Sequence, residues 1–148
     1  MNSLVELHPK AVEYAHFEDV MDWPWPNFTP REFGCRGTGR IVVVPPFMDM
    51  LQALRLALDF PFIVTSGYRS PDYNSSISST GLKGPHTFGE AVDILVSGER
   101  ARRLAVVGGQ IGFTGLGLNQ KGPYDKRFIH LDTLPPERHQ PRPHIWTY

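Results

Sequence analysis

Two stretches of this chain carry residue types that could hold and use a metal ion. The first is His86-Thr87-Phe88-Gly89-Glu90-Ala91-Val92-Asp93. A histidine leaves a loop, a glycine permits a tight turn, and an aspartate follows on a predicted strand. Strand side chains alternate between faces, so Ala91 and Asp93 share one face. The small Ala91 beside Asp93 leaves room for a metal and a substrate. The second stretch is Phe128-Ile129-His130-Leu131-Asp132, also a predicted strand, with His130 and Asp132 on one face. Imidazole and carboxylate are both zinc ligands, and two histidines plus one carboxylate with a fourth position for water describe a catalytic zinc site. Such a metal polarises a carbonyl and lowers the pKa of its bound water. A nearby carboxylate is then needed to take a proton and pass it to a leaving amine.

Composition limits the alternatives. One cysteine excludes an internal disulfide and an all-cysteine zinc site, so a metal must rest on the acids or the six histidines. Lys plus Arg and Asp plus Glu are 15 each, a zero balance that argues against binding nucleic acid through charge. No apolar run approaches the roughly 20 residues of a membrane helix. The start, Met-Asn-Ser-Leu-Val-Glu-Leu-His, lacks a signal-peptide pattern, so synthesis in the cytoplasm is expected. Gly and Pro number 14 each, well above the usual share, which suggests much irregular loop.

The elements that must position these residues fit one domain over 1–148. Residues 1–27 read as an arm, with a helical turn or two possible at Val12 to Met21. Trp23-Pro24-Trp25-Pro26 forbids a helix, and the two tryptophans read as core lids. Thr29-Pro30-Arg31-Glu32-Phe33 predicts a capped turn of helix. Ile41 to Val44 reads as a short strand. Apolar residues at 47, 50, 51, 54 and 58 predict a helix over 47–58. Phe62 to Thr65 reads as a strand, and 72–85 as a long loop. Ala91 to Val96 is a strand, followed by a helix from about Glu99 to Val107 that Gly108-Gly109 would end. Gly115 to Leu118 and Arg127 to Leu131 are two more strands. Residues 134–148 carry four prolines and are expected to wrap the surface as an extended tail.

Three motifs in order resemble a known family. Ser66-Gly67-Tyr68-Arg69-Ser70-Pro71, then His86-x-x-Gly89-x-Ala91-x-Asp93, then Phe128-Ile129-His130-Leu131-Asp132-Thr133 look like the zinc D-alanyl-D-alanine peptidases of the M15 family. That family includes phage endolysins and is similar in fold to the Hedgehog signalling domain. Phe28-x-x-x-Glu32-Phe33-x-Cys35 and Trp146 resemble its smaller bacterial and phage members. The resemblance spans Asn27 to Thr133 plus Trp146.

The resemblance implies that His86, Asp93 and His130 bind one zinc ion. It implies that Arg69 engages a substrate carboxylate or the oxyanion, tasks that suit a planar, permanently charged fork. Ser66 and Tyr68 would shape that pocket. Two positions depart from the family pattern. Gly84 stands where a serine is usual, and Arg127 stands three residues before the last histidine, where several members place the catalytic acid. Asp132 is then the expected general base, with Asp125 as the alternative. Asp132 could equally orient a ligand.

Taken singly, His86, Asp93 and Arg69 would be ordinary loop, cap and surface residues; their joint order favours the site. His8, His16, His139 and His144 lack a ligand pattern and read as surface or tail residues. The fold class expected is α+β, a small, mainly antiparallel sheet with flanking helices. The expected function is a zinc peptidase acting on peptide stems of bacterial peptidoglycan, as a carboxypeptidase or endopeptidase, in a phage or virion setting. The competing expectation is a non-catalytic, zinc-containing binding or virion structural module of the same fold, with other virion proteins as partners.

Overall fold

The computed structural model describes residues 5–139 and 141–148. Strand β1 (Val12–Tyr14) opens the chain where a helical turn was one expectation, and a 3-10 turn at Phe17–Asp19 follows. Trp25 is buried, and both indoles are tied down. Trp23 Nε1 donates to the Phe28 carbonyl at 2.8 Å, and Trp25 Nε1 donates to Asp49 Oδ1 at 2.8 Å. The short helix α1 (Pro30–Phe33) starts where expected, and the Thr29 N–H donates to Glu32 Oε1 at 2.7 Å. Strand β2 (Ile41–Val43) pairs antiparallel with β1.

Helix α2 (Pro45–Leu58) takes its two prolines at the first turn, where no backbone donor is lost. It ends at Asp59, whose φ of 54° is left-handed. Strand β3 (Ile63–Ser66) follows. Residues expected as loop then fold as helix α3 (Pro71–Ile77) and two 3-10 turns, Gly81–Lys83 and Pro85–Phe88. The polar sequence of α3 hid it, because its main buried anchor is Asn74 rather than an apolar stripe.

After β4 (Ala91–Leu95), helix α4 (Gly98–Ile111) runs past Gly108 and Gly109, which were expected to end it. These glycines serve packing instead. A Cβ on the buried Gly108 would sit 3.3 Å from Leu131 Cδ2, so the helix lies close on the sheet there. Gly112, at φ 126°, makes the actual stop.

Strands β5 (Gly115–Asn119), β6 (Phe128–Asp132) and β7 (His144–Thr147) complete a five-stranded sheet of order β3-β4-β6-β5-β7. All pairs are antiparallel except β5 with β7, which is parallel. The fold is thus α+β with a small, mainly antiparallel sheet. The tail corrects one expectation. Its prolines do not keep it off the sheet, because they lie outside the paired residues His144–Thr147.

Alternation sorts the two faces. Val92, Ile94, Ile129 and Leu131 are almost fully buried and belong to one core cluster with Leu51, Leu54 and Leu104 of α2 and α4. Each such side chain contributes on the order of 1.5–3 kcal/mol by leaving water. Asp93, His130 and Asp132 therefore point to the opposite face, which among the described residues carries no helix of comparable length. Among the described residues no helix is long and apolar enough to cross a membrane.

Candidate metal centre

The register of the sheet brings the two motifs together. Asp93 on β4 lies directly opposite His130 on β6, and Ala91 lies opposite Asp132. His86 arrives from the Pro85–Phe88 turn, which Gly89 closes at φ 74° against Val42, where a Cβ would press to within 3 Å. The three residues are buried, and one donor atom from each lies within 4.8 Å of the others.

The separations suit a metal. Asp93 Oδ1 is 3.3 Å from His86 Nε2 and 3.1 Å from His130 Nδ1. Tetrahedral zinc with bonds near 2.0–2.1 Å sets its ligands roughly 3.3 Å apart. Both remote ring nitrogens are also engaged. His86 Nδ1 donates to the Gly67 carbonyl at 2.7 Å, which leaves Nε2 with a lone pair toward Asp93. His130 Nε2 lies 2.7 Å from Asp132 Oδ2 and donates its proton there when Nδ1 is the ligand. Fixing the far nitrogen of a ligating histidine orients the ring and raises its basicity.

Electrostatics agree. Burial works against charge on Asp93, but the imidazoles of His86 and His130 outweigh it and hold the carboxyl far below the usual carboxylate range. Burial favours a neutral His130, yet hydrogen bonds to Asp132 and Asp93 outweigh it and push this ring up to about 9. Without a metal, one proton therefore sits between His130 and Asp93. A metal held through His130 Nδ1 would take that proton's place.

Asp132 shares the sheet face of His130, but both its carboxylate oxygens are taken up by protein partners. Its Oδ1 accepts from Arg142 Nε at 2.9 Å and from the Leu134 N–H at 3.2 Å. Its Oδ2 accepts from Arg142 Nη2 at 2.7 Å as well as from His130. The residue is wholly buried. Burial raises its carboxyl, but His130 and Arg142 overcome that and hold it well below the usual range. The expectation of Asp132 as general base does not fit this placement, since no lone pair is left facing a substrate. Asp125 sits exposed in the Tyr124–Lys126 turn and is not brought to the cluster.

The cluster opens into a cleft of about 340 Å³. Arg69 lines it and is held from three sides. Its Nε donates to Ser66 Oγ at 2.9 Å, Nη1 donates to Asn74 Oδ1 at 3.0 Å, and Nη2 lies 3.5 Å from Asp93 Oδ2. Ser66 thus acts through Arg69. Tyr68 does not reach the cleft: beyond Gly67 its side chain turns into the core, where it is 6% exposed. Arg127 also stays outside, over the Tyr124 ring at 4.2 Å.

Several residues that sequence reasoning missed complete the site. Arg142 lies in the tail, and only the tertiary fold carries it to Asp132. His139, His144 and Tyr148, read as tail residues or passed over, line the cleft with Trp146. Trp146 lies over His130, ring centroids 5.1 Å apart. The alternation of His144, Trp146 and Tyr148 was the available signal, a period of two in a stretch dominated by prolines. Gly115 and Gly117 make the space. A Cβ on Gly115 would run into the Asp132 carboxylate, and one on Gly117 would come within 2.7 Å of the Trp146 indole.

Comparison with known proteins agrees with this geometry. The family model described as Peptidase M15 matches residues 26–132. The chain belongs to the M15 peptidase family, which makes it a member of a family of hydrolases that cut peptide bonds. A search of curated proteins returns no match.

Proposed function

We propose that this chain is a zinc peptidase that cuts the peptide stems of bacterial peptidoglycan. The observation that carries the reading is the set of His86 Nε2, Asp93 Oδ1 and His130 Nδ1, converging from three elements, with Asp93 Oδ1 3.3 and 3.1 Å from the two ring nitrogens, beside a cleft lined by Arg69. When bound, zinc would supply Lewis acidity to a peptide carbonyl and a nucleophilic water. The remaining work falls to the protein's own atoms. Arg69 has five N–H donors, of which three are engaged, and the rest can pair with a substrate carboxylate or carbonyl. Asp132, clamped by Arg142, holds the His130 Nε2 proton and keeps the ring oriented, so we assign it a positioning role. The wall substrate and a phage or virion setting rest on the motif resemblance. Cleavage at a stem end and within a stem are both compatible with the cleft.

One observation favours the non-catalytic alternative. Asp93 is the only acidic side chain among the described residues that line the cleft, so no second carboxylate is at hand for proton transfer. A single experiment separates the readings. Protein loaded with one equivalent of zinc is incubated with purified peptidoglycan, and released fragments are identified by mass. New amine ends that vanish in His86→Ala are expected. No release by the wild type, or undiminished release by His86→Ala, overturns the peptidase reading.

A further inference from the structure

The cleft has a wall that the site as described does not use. Strand β7 joins the sheet beside β5, and its His144 and Trp146 fall on the metal face, with Tyr148 just past the strand lining the same cleft. His144 and Trp146 reach toward the candidate ligands because the intervening strand presents Gly115 and Gly117 opposite Asp132 and His130. Trp146 lies across that bare floor to His130. Tyr148 packs on Phe128, ring centroids 5.0 Å apart, and borders the same cleft as Arg69, Asp93 and His130.

We propose that Tyr148 is a catalytic residue: its phenolic O–H donates a hydrogen bond to the scissile carbonyl oxygen as negative charge develops there. The inference rests on the peptidase reading above. Three observations lead to it. Tyr148 lines the same cleft as Arg69, Asp93 and His130, which sets its ring beside the candidate metal centre. Partial burial pushes its pKa up to about 12, so it stays a donor across the neutral range. The Phe128 ring, on the strand that carries His130, packs on the Tyr148 ring and fixes where it stands. Preorganised donors aimed at developing charge are among the largest contributions to acyl-transfer catalysis. The proton balance is simple. The water oxygen bonds to the carbonyl carbon, the C–N bond breaks, one water proton goes to the leaving amine and the other passes from the new carboxyl group to solvent. Tyr148 keeps its own proton throughout.

Tyr148→Phe tests this, because it removes one oxygen and keeps the ring against Phe128. With zinc-loaded protein and a purified peptidoglycan stem peptide, kcat should fall by about 10–100-fold while KM changes less than about threefold. Zinc content should match the wild type. Calorimetric affinity for a phosphinate isostere of the cleaved bond should fall by a similar factor, while affinity for the product peptide stays level. Equal kcat and equal phosphinate affinity in an active wild-type background overturn the proposal for Tyr148 alone. Absence of cleavage by the wild type overturns the peptidase reading and this proposal with it.

Discussion

Replacing Arg142 by methionine tests whether the tail strand holds the metal centre together. The substitution removes bonds of 2.9 and 2.7 Å to the Asp132 carboxylate and a guanidinium 5.1 Å above the Trp146 ring. Methionine keeps most of the stem volume, so the change is mainly electrostatic. The side chains of Arg142 and Asp132 are 2% and 0% exposed, so water cannot compensate. Removing one partner of a buried pair costs about 3–5 kcal/mol, because the other charge is left behind. For a chain of this length that corresponds to a fall in Tm of roughly 6–20 °C, using about 2–4 °C per kcal/mol. Asp132 would also lose the clamp that aims it at His130, and loss of such a supporting partner weakens metal binding about 10–100-fold. Urea unfolding of the metal-free protein measures the first effect, and competition with a chelator measures the second. The double variant Asp132→Asn/Arg142→Met removes both charges and should be more stable than Arg142→Met alone. A stability loss below about 1 kcal/mol, with zinc affinity within twofold of the wild type, would refute the reasoning.

Three further outcomes are expected. Gly115→Ala should force the Asp132 carboxylate aside, costing about 1–3 kcal/mol in unfolding experiments and weakening zinc binding in the chelator assay. Asn74→Ala should release Arg69 and the Thr80–Gly81 segment, lowering stability by about 1–3 kcal/mol and raising KM for a stem peptide more than it lowers kcat. The third concerns pH. The folded pKa of His130, about 9, lies above the ordinary 6.5, so its stabilisation of the metal-free protein is full below 6.5 and is lost as pH rises through about 9. Zinc must displace that proton. Calorimetry in buffers of different ionisation enthalpy should detect about one proton released per zinc near pH 7, declining above about 9. No release at pH 7 would contradict the His130–Asp93 bridge.

The cluster of His86, Asp93 and His130 was legible in the sequence because its signals are local. His86, Gly89 and Asp93 sit within one turn-to-strand segment, and strand alternation places His130 and Asp132 on one face. The helix over 47–58 and the central strands were legible for the same reason, since apolar periodicity reports which side meets the core. The misses were of another kind. Gly108 and Gly109 read as a stop signal, but their missing side chains let α4 lie close on β6. Residues 71–77 read as loop because the buried anchor of α3 is polar. Asp132 and Tyr68 were assigned by position in a motif, and the fold turns one toward Arg142 and the other into the core.

The sequence by itself determined the family, the α+β class and the three candidate ligands, because each depends on residue type and on spacing along a few turns of chain. Only the tertiary structure decided what surrounds them. Arg142, Trp146 and Tyr148 lie far along the chain from Asp93, and they reach the site through the parallel pairing of β7 with β5. The glycines of β5 give no sign of their role until two other strands are laid beside them. Long-range pairing has no local signature, so the wall of the cleft became visible only in the folded chain.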